Sequence, residues 1–530
     1  MFRLLLGLLL FPVSLAGVAR AFPEMQQQNL HAPDLKGRAW LNTEKPLESW
    51  KKDLKGHVVL LDFWTYCCIN CIHVLPDLRA LEEEFKDEAF LVIGVHSNKF
   101  EQEGEARNIR QAILRYDIRH PVVVDDEHRI WRGFGVRAWP SFVLVDPEGY
   151  VLGGLSGEGH LELLRSVIRR VLDEHRSKGT LADKPLRPEL LQPEPTLLRY
   201  PGKVLAHGEN VFVADSSGHR LLEVDGADGR VLRVFGSGEA GHRDGEASQA
   251  QFRNPQGMAV YGEWLYVADT DNHRIRRIHL QKGTVDTVAG KGKQARPLPK
   301  PGKPMETDLN SPWALEIVGD QLYVAMAGSH QLWLIDLKEN QLQSAAGSGR
   351  ENIVDGPASV AQLAQPSGLA FLNGKLYFAD SEVSAVRFLD LEKKEVGTVL
   401  GTGLFDFGDR DGGPEVAQLQ HPLGLAIWKQ QLLVADTYNG KVRSLDPKTR
   451  TSKTLFGGED QDLQFWEPGG LDVSGDTLYV ADTNNHRILA IDLRSKAWRV
   501  LLGGMISAAP PDDSDQEKET ESESAKEDKS

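Results

Sequence analysis

All three cysteines of this 530-residue chain lie close together, at Cys67, Cys68 and Cys71. The apolar run Val58 to Trp64 predicts a buried strand that leads into them, and helix-forming residues follow from Leu78 to Phe85. A Cys-x-x-Cys pair between a strand and a helix places its first sulfur at the helix N-terminus, where unpaired amides and the helix dipole favour a thiolate. Disulfide exchange needs one thiolate that attacks and a second thiol that resolves the mixed disulfide. The spacing therefore predicts thiol chemistry.

Two motifs around these thiols occur in an order that is typical of one fold. Asp62-Phe63-Trp64 stands just before the cysteines, and Pro76 follows Cys71. Further on, Trp139-Pro140-Ser141 precedes the strand-like run Phe142 to Val145. The arrangement resembles the thioredoxin signature, in which a strand with a buried Asp runs into the Cys-x-x-Cys helix and a cis-proline loop faces the cysteines.

The resemblance to thioredoxin implies a thiol-disulfide oxidoreductase that uses no metal or other cofactor. The implied site residues are the attacking thiol Cys68, the resolving thiol Cys71, the buried carboxylate Asp62 that relays their proton, the substrate-orienting Pro140, and Trp64 and Trp139 as walls of the substrate site. The implied partners are protein thiols or disulfides and a redox partner protein.

Three alternatives to this interpretation remain open. A thioredoxin fold without redox activity would make the chain a non-enzymatic interaction scaffold. A thiol peroxidase is the second alternative, because Thr65 stands where the peroxiredoxin motif has its Thr, although Leu61 occupies the position of its Pro. Copper binding is the third, because Cys67, Cys71 and His73 could offer two thiolates and an imidazole to Cu(I). We expect instead that His73 is a solvated helix residue.

Residues 30–178 alternate between strand-like and helix-like patterns. Val58 to Trp64 and Phe90 to His96 are continuous apolar runs, as in strands that are buried on both faces, whereas Glu105 to Tyr116 and Leu161 to His175 repeat apolar residues at helical spacing. We therefore predict an α/β thioredoxin-like domain here. Residues 179–200 contain four prolines without sustained periodicity, which predicts an extended linker.

A short motif recurs six times beyond the linker. The copies are Val213-Ala214-Asp215, Val267-Ala268-Asp269, Val324-Ala325-Met326, Phe378-Ala379-Asp380, Val434-Ala435-Asp436 and Val480-Ala481-Asp482. Most copies are preceded by a Pro that opens a strand and followed by a polar turn and further strand-like pieces. Four short strands per repeat are typical of a propeller blade, so we predict a multidomain chain whose residues 201–505 form an all-β six-bladed propeller.

The polar turns Asp271-Asn272-His273-Arg274 and Asn484-Asn485-His486-Arg487 carry the residues for which NHL repeats are named. The chain resembles bacterial members of a family in which a thioredoxin-like, or redoxin, domain is fused to an NHL-repeat β-propeller. The propeller is then expected to bind a partner or substrate of unknown identity. Because the same turn residues recur in several blades, we interpret them as structural rather than as metal ligands. The third blade departs from the pattern, with Met326 where the other copies have Asp.

The two ends of the chain predict where the protein works. Residues 1–21 combine Arg3, an apolar stretch and the small-x-small motif Ala19-Arg20-Ala21, which predicts a signal peptide cleaved before Phe22, no stable membrane span afterwards, and a periplasmic or secreted protein. Residues 506–530 are rich in acidic residues and predict a disordered tail. The net charge of −15 makes nucleic acid an unlikely main partner.

Overall fold

A computed structural model describes residues 30–459 and 461–504. The predicted signal peptide and acidic tail lie outside these residues. Within the described ranges, no helix combines the length and the apolar character that crossing a membrane requires.

The first domain is built on a six-stranded sheet with the order β1-β4-β3-β2-β5-β6. Its strands are β1 Trp40–Leu41, β2 Val58–Trp64, β3 Phe90–His96, β4 Val122–Val124, β5 Ser141–Val145 and β6 Val151–Ser156. Strands β2, β3 and β4 are parallel, and β5 runs antiparallel to β2. Both central strands are buried along their whole length, as their unbroken apolar runs predict.

Helices cover both faces of this sheet. They are α1 Ile69–Glu84, α2 Ala106–Arg115, α3 Arg129–Gly133 and α4 Leu161–Lys178, with a 3₁₀ turn at Glu101–Gly104. One face of α4 buries Leu164, Val167, Ile168 and Val171 in the same core as α1, because apolar residues recur at the helical period. The predicted α/β class is confirmed; both ends of α2 differ from the predicted ones by one residue, and α4 begins as predicted and ends three residues later.

The second domain is a six-bladed β-propeller, as predicted. Each blade is an antiparallel sheet of four consecutive strands, and blade 4 carries a short fifth strand, Gly356–Pro357. The strands of blades 1 to 3 are Pro201–His207, Asn210–Asp215, Arg220–Asp225, Val231–Phe235; Pro255–Tyr261, Trp264–Asp269, Arg274–His279, Val285–Ala289; and Pro312–Val318, Gln321–Met326, Gln331–Asp336, Gln341–Ala346. Those of blades 4 to 6 are Pro366–Leu372, Lys375–Asp380, Ala385–Asp390, Glu395–Leu400; Gly424–Trp428, Gln431–Asp436, Lys441–Asp446, Thr451–Phe456; and Pro468–Ser474, Thr477–Asp482, Arg487–Asp492, Trp498–Gly503.

The recurring turn residues form the same bonds in successive blades. In blade 2, the buried Asp269 accepts a hydrogen bond from the backbone N–H of Arg253 at 2.8 Å and pairs with Arg276 at 2.8 Å. Thr270 donates to the carbonyl of Pro312 in the next blade at 2.7 Å. The histidine of the turn, His273, accepts a hydrogen bond from the backbone N–H of Ser311 through Nδ1 at 3.1 Å. These residues therefore join neighbouring blades, which is a structural function.

Lys203 occupies the hub of the propeller. Its Nζ donates to the carbonyls of Ser367 and Gly469, each at 3.0 Å, and to that of Leu423. One ammonium group from blade 1 thus binds blades 4, 5 and 6.

We expect Lys203→Met to destabilise the propeller by about 2–4 kcal/mol, because three hub carbonyls lose their donor and a buried unpaired polar group costs about 1–3 kcal/mol. Urea unfolding monitored by tryptophan fluorescence measures this change. Lys282→Met, which replaces an exposed lysine of blade 2, is the matched control. Equal unfolding midpoints for both variants would contradict the role of the hub.

Candidate functional site

The cysteine loop connects β2 to α1. Cys68 is the N-cap of α1, and its carbonyl accepts the backbone N–H groups of Cys71 at 3.0 Å and Ile72 at 3.2 Å. All three thiols are free, and they differ in exposure: Cys68 is partly exposed, whereas Cys71 is 1% and Cys67 is 3% exposed. An incoming sulfur can therefore reach Cys68 more readily than either neighbour.

Cys71 lies next to Cys68 and is held protonated. Burial, together with the hydrogen bond and proximity to Cys68, raises the pKa of the Cys71 thiol well above its ordinary value. The nearby Asp62 raises it further. A thiol in this state cannot attack until its proton is removed.

Cys67 lies in an acidic environment. Its backbone N–H donates to Glu103 at 2.8 Å. Burial is the largest cause that raises the pKa of the Cys67 thiol, and the carboxylates of Glu103 and Glu382 add to the shift. We infer that Cys67 is unreactive and that its backbone, rather than its sulfur, shapes the loop.

Asp62 lies beneath the cysteine loop on β2 and is fully buried. Neither of its carboxylate oxygens has a hydrogen-bond partner among the described residues. Burial raises the pKa of Asp62 to about 7, against a smaller opposing effect of His120. A buried acid that titrates near neutrality can accept the proton of a neighbouring thiol.

His120 and Glu82 extend this polar cluster toward the surface. His120 Nδ1 is 2.7 Å from Glu82 Oε1, and Glu82 is partly exposed. Asp62 pairs with Gly94 on β3, and a Cβ at Gly94 would lie 3.2 Å from His120 Nε2 and 2.9 Å from Trp64 Nε1. The absence of a side chain at Gly94 therefore makes room for the imidazole beside Asp62.

We expect Asp62→Asn to stabilise the folded protein above pH 7 by about 4 kcal/mol, at 1.36 kcal/mol per pKa unit. Because the folded-state pKa of about 7 exceeds the ordinary value of 3.8, the wild-type carboxyl loses its proton less readily when folded. The free-energy cost of ionising Asp62 in the folded protein is absent below pH 4 and grows as the pH rises to 7. Urea unfolding at pH 4, 6 and 8 checks this, and a gain that does not change with pH would contradict a titrating Asp62.

The two tryptophans expected to wall the site differ in position. Trp64 is 2% exposed, and its ring meets that of His96 at 4.8 Å, so it packs beneath the loop, and its role as a wall of the substrate site stays a prediction. Trp139 is half-buried and packs against Trp131 at 4.6 Å between ring centroids. The Trp139–Pro140 peptide is cis, and pairing of Phe63 with Ser141 places Pro140 beside the end of β2.

The propeller covers the cysteine loop, which sequence analysis did not predict. The side-chain amide of Gln365, before blade 4, donates to the carbonyl of Cys67 at 2.9 Å and accepts from the N–H of Ile69 at 2.9 Å. The hydroxyl of Tyr66 donates to Glu467, the residue just before blade 6, at 3.2 Å. One face of the propeller therefore shields the backbone on both sides of Cys68.

Gln365 and Glu467 occupy equivalent positions in their blades, and we call the six residues at this position the rim residues. They are the residues that precede the first strand of each blade or its opening Pro: Tyr200, Asn254, Ser311, Gln365, His421 and Glu467. Each has a positive φ of 49° to 64°, a conformation that is rare outside glycine and that clusters at binding sites. Five of the six contact the thioredoxin-like domain. Besides Gln365 and Glu467, Tyr200 contacts Gln111 at 2.7 Å, Ser311 contacts His73 at 2.6 Å, and the ring of His421 lies 5.3 Å from that of Phe100.

His73 is an interface residue, so the prediction of a solvated helix residue is wrong. Its side chain is 5% exposed, and its two ring nitrogens contact Glu158 at 2.9 Å and Ser311 at 2.6 Å. Both nitrogens are thus engaged away from the thiols, which argues against the copper alternative. A Cβ at Gly328 in the blade 3 turn would lie 2.7 Å from the His73 ring, so the unusual third blade makes room for His73.

Two buried ion pairs also join the domains. Arg115 at the end of α2 pairs with Glu467 at 2.6 Å and also contacts Asn484. Lys99 pairs with Glu382 in the turn of blade 4. All four charged side chains are at most 16% exposed, so the interface depends on complementary charges that water does not screen.

Comparisons with known proteins agree with this two-domain architecture. The thioredoxin-like family matches residues 56–151, the NHL repeat matches residues 465–491, and the LVIVD repeat matches residues 253–273. NHL repeat-containing protein 2 of Homo sapiens is 40% identical over 471 residues, which cover 82% of this chain and 65% of that protein. SUPPRESSOR OF QUENCHING 1, chloroplastic, of Arabidopsis thaliana is 40% identical over 439 residues, which cover 79% of this chain and 41% of that protein.

The resemblance to thioredoxin-like proteins with an NHL propeller is therefore confirmed, and the chain is homologous to both of these proteins. It spans about two thirds of the human relative and less than half of the plant relative. The first domain alone also matches the thiol-disulfide oxidoreductase YkuV of Bacillus subtilis, with 26% identity over 143 residues that cover 27% of this chain and 94% of that protein.

Proposed function

We propose that this protein is a thiol-disulfide oxidoreductase whose propeller controls access to the reacting cysteines. The observation that carries the proposal is the difference between neighbouring thiols: Cys68 is partly exposed at a helix N-terminus, whereas Cys71 is buried beside it and next to a carboxyl group. This pairs an accessible nucleophile with a protected resolving thiol. The thiol-disulfide oxidoreductases among its relatives, which match only the first domain, support the same chemistry.

The reaction follows from these positions. The Cys68 thiolate attacks a substrate disulfide, so one bond forms between Cys68 and the substrate while the substrate disulfide breaks and releases a thiolate. Asp62 takes the proton of Cys71, and the Cys71 sulfur then attacks Cys68. The second substrate thiol leaves, two electrons have passed to the substrate, and Cys68 and Cys71 are joined by a disulfide. The reverse sequence oxidises a dithiol substrate.

The propeller restricts which substrates can react. Gln365 holds the backbone on either side of Cys68 and Glu467 holds the Tyr66 hydroxyl, so a folded protein cannot lie flat against the loop while the domains remain in contact. We infer that substrates reach Cys68 as a narrow segment or after the domains separate. The predicted signal peptide supports a periplasmic or secreted location, and the N-terminal mass of the exported chain tests it.

A non-enzymatic scaffold is the second candidate. The same burial of Cys67 and Cys71 and the same bonds from Gln365 favour it, because they would also hold an inert loop in place. In that case the cysteine loop is a docking element for the propeller.

Trapping with Cys71→Ala tests the proposed function. Without the resolving thiol, the mixed disulfide between Cys68 and its substrate should accumulate, because nothing in the loop can release it. We expect non-reducing gels and mass spectrometry to show adducts on Cys68 in this variant and none in Cys68→Ser/Cys71→Ala. Absence of adducts, together with no exchange between the wild-type protein and a small aromatic disulfide, would support the scaffold.

A further inference from the structure

One rim residue does not follow the pattern of the other five. Asn254 of blade 2 donates to Asp271 of its own blade at 3.3 Å and lines an open cleft between the two domains. At the equivalent position, Ser311 of blade 3 binds His73. In blade 2 the turn residue His273 approaches the thioredoxin-like domain instead, with its ring 5.7 Å from that of His73, and Asn254 faces the cleft.

The cleft has a volume of 440 Å³, within the range of about 300–1,000 Å³ that is common for small-molecule sites. Its lining is partly apolar and partly cationic. The apolar part comes from α1, the end of α2 and the linker and includes Ile72, Leu75, Ile113, Leu190 and Leu191. Leu190 is 43% exposed, so apolar surface faces the open space.

The rest of the lining is cationic. Five arginines line the cleft against two aspartates, three of the arginines coming from the thioredoxin-like domain, although the whole chain has a net charge of −15. Arg79 and Arg119 both contact Asp117, at 3.2 and 2.9 Å. Arg199 and Arg253 are exposed and form no ion pair within the described residues. Two arginine charges therefore remain available at the propeller side.

The pKa of one blade-turn histidine, His219, reflects this positive charge. Burial is the first cause that lowers the pKa of His219 to about 4, and the guanidinium groups of Arg199 and Arg253 are the next. Both guanidinium groups consequently lie near the His219 ring, which itself lines the cleft. A neutral His219 leaves Arg199 and Arg253 as the groups that can neutralise an anion.

We propose that this cleft binds a small organic anion with an apolar body and a carboxylate or phosphate head. The head lies between Arg199 and Arg253, where guanidinium groups match planar oxyanions, and the body lies against Leu190 and the side of α1. The site goes beyond the proposed thiol chemistry, since Cys68 does not line the cleft.

Isothermal titration calorimetry of the full chain with four probes tests this inference. Octyl phosphate and octanoate carry both parts and differ in the head, inorganic phosphate carries the head alone, and octanol carries the body alone. We expect one equivalent of octyl phosphate or octanoate to bind at least 10-fold more tightly than phosphate or octanol. The stronger of the two amphipathic probes identifies the head group.

Variants locate the binding site. Arg199→Gln and Arg253→Gln should each weaken binding of the amphipathic anion about 10-fold, because each removes one charge-assisted contact, whereas Arg230→Gln, an exposed arginine of blade 1 outside the cleft, should bind as the wild type does. The Cys68→Ser variant should also bind normally, which separates this test from the thiol chemistry. Octanol that binds as tightly as octyl phosphate, or equal binding by all the arginine variants, would overturn the proposal.

Discussion

Cys68→Ser should abolish disulfide exchange, whereas Cys67→Ser should retain most of it. Cys68 is the partly exposed N-cap of α1, and Cys67, one residue earlier, is buried and faces Glu103 and Glu382. Loss of a nucleophile commonly lowers turnover by about 10³-fold or more. We expect that loss for Cys68→Ser and less than about threefold for Cys67→Ser, because only its backbone has a role.

Exchange with a small aromatic disulfide, followed by absorbance, measures both variants. Alkylation of each single mutant across pH 5 to 10 gives the reactivity of the remaining thiols, and far-ultraviolet circular dichroism controls for folding. If Cys67→Ser is as inactive as Cys68→Ser, the assignment of Cys68 and Cys71 as the reacting pair is wrong.

Arg115→Gln should expose Cys71 to alkylation. It removes one partner of the buried pair with Glu467, whose side chain is 5% exposed and also accepts the hydrogen bond of Tyr66. Removing one member of a buried ion pair costs about 3–5 kcal/mol, because the other charge is left unpaired in a dry interface. If alkylation of Cys71 requires transient separation of the domains, lowering the free energy of that separation by about 3 kcal/mol raises the alkylation rate about 100-fold.

Mass spectrometry after timed alkylation measures the rate at Cys71 directly. Arg129→Gln is the matched control, since Arg129 is exposed and, among the residues that the structure describes, pairs only with the nearby Glu127 in a salt bridge. The double variant Arg115→Gln/Glu467→Gln should recover part of the protection, because it leaves no charge unpaired. A lower unfolding midpoint with unchanged alkylation of Cys71 would show that the propeller does not gate the thiols.

Local patterns were sufficient for the central strands and long helices of the first domain and for the blades of the second. The apolar runs of β2 and β3 are buried on both faces, and their predicted limits agree with the structure. The six motif copies mark the second strand of each blade, because a repeat that cannot bury its own faces must stack against its neighbours. The position of Cys68 at the start of α1 also follows from the sequence, since a strand, a turn and a helix are consecutive there.

The surroundings of the thiols were not predictable in the same way. Glu103, His120 and Gln365 approach the cysteine region from 32 to 298 residues away in the chain, and no local pattern marks them. The rim residues had a partial signal, because all six stand directly before the Pro of the repeat. Their types differ from blade to blade, since each contacts a different part of an asymmetric domain.

The sequence by itself determined the two folds and their order along the chain and placed Cys68 and Cys71 together at a helix start, because these depend on residues that are close in the chain or that repeat. Only the tertiary structure decided that the propeller covers the cysteine loop, that His73 is buried at the interface, and that arginines converge on one cleft in an acidic protein. The physical reason is that burial and pairing of charges depend on which surfaces meet. Two stable domains can meet in many ways that leave their separate sequence patterns unchanged.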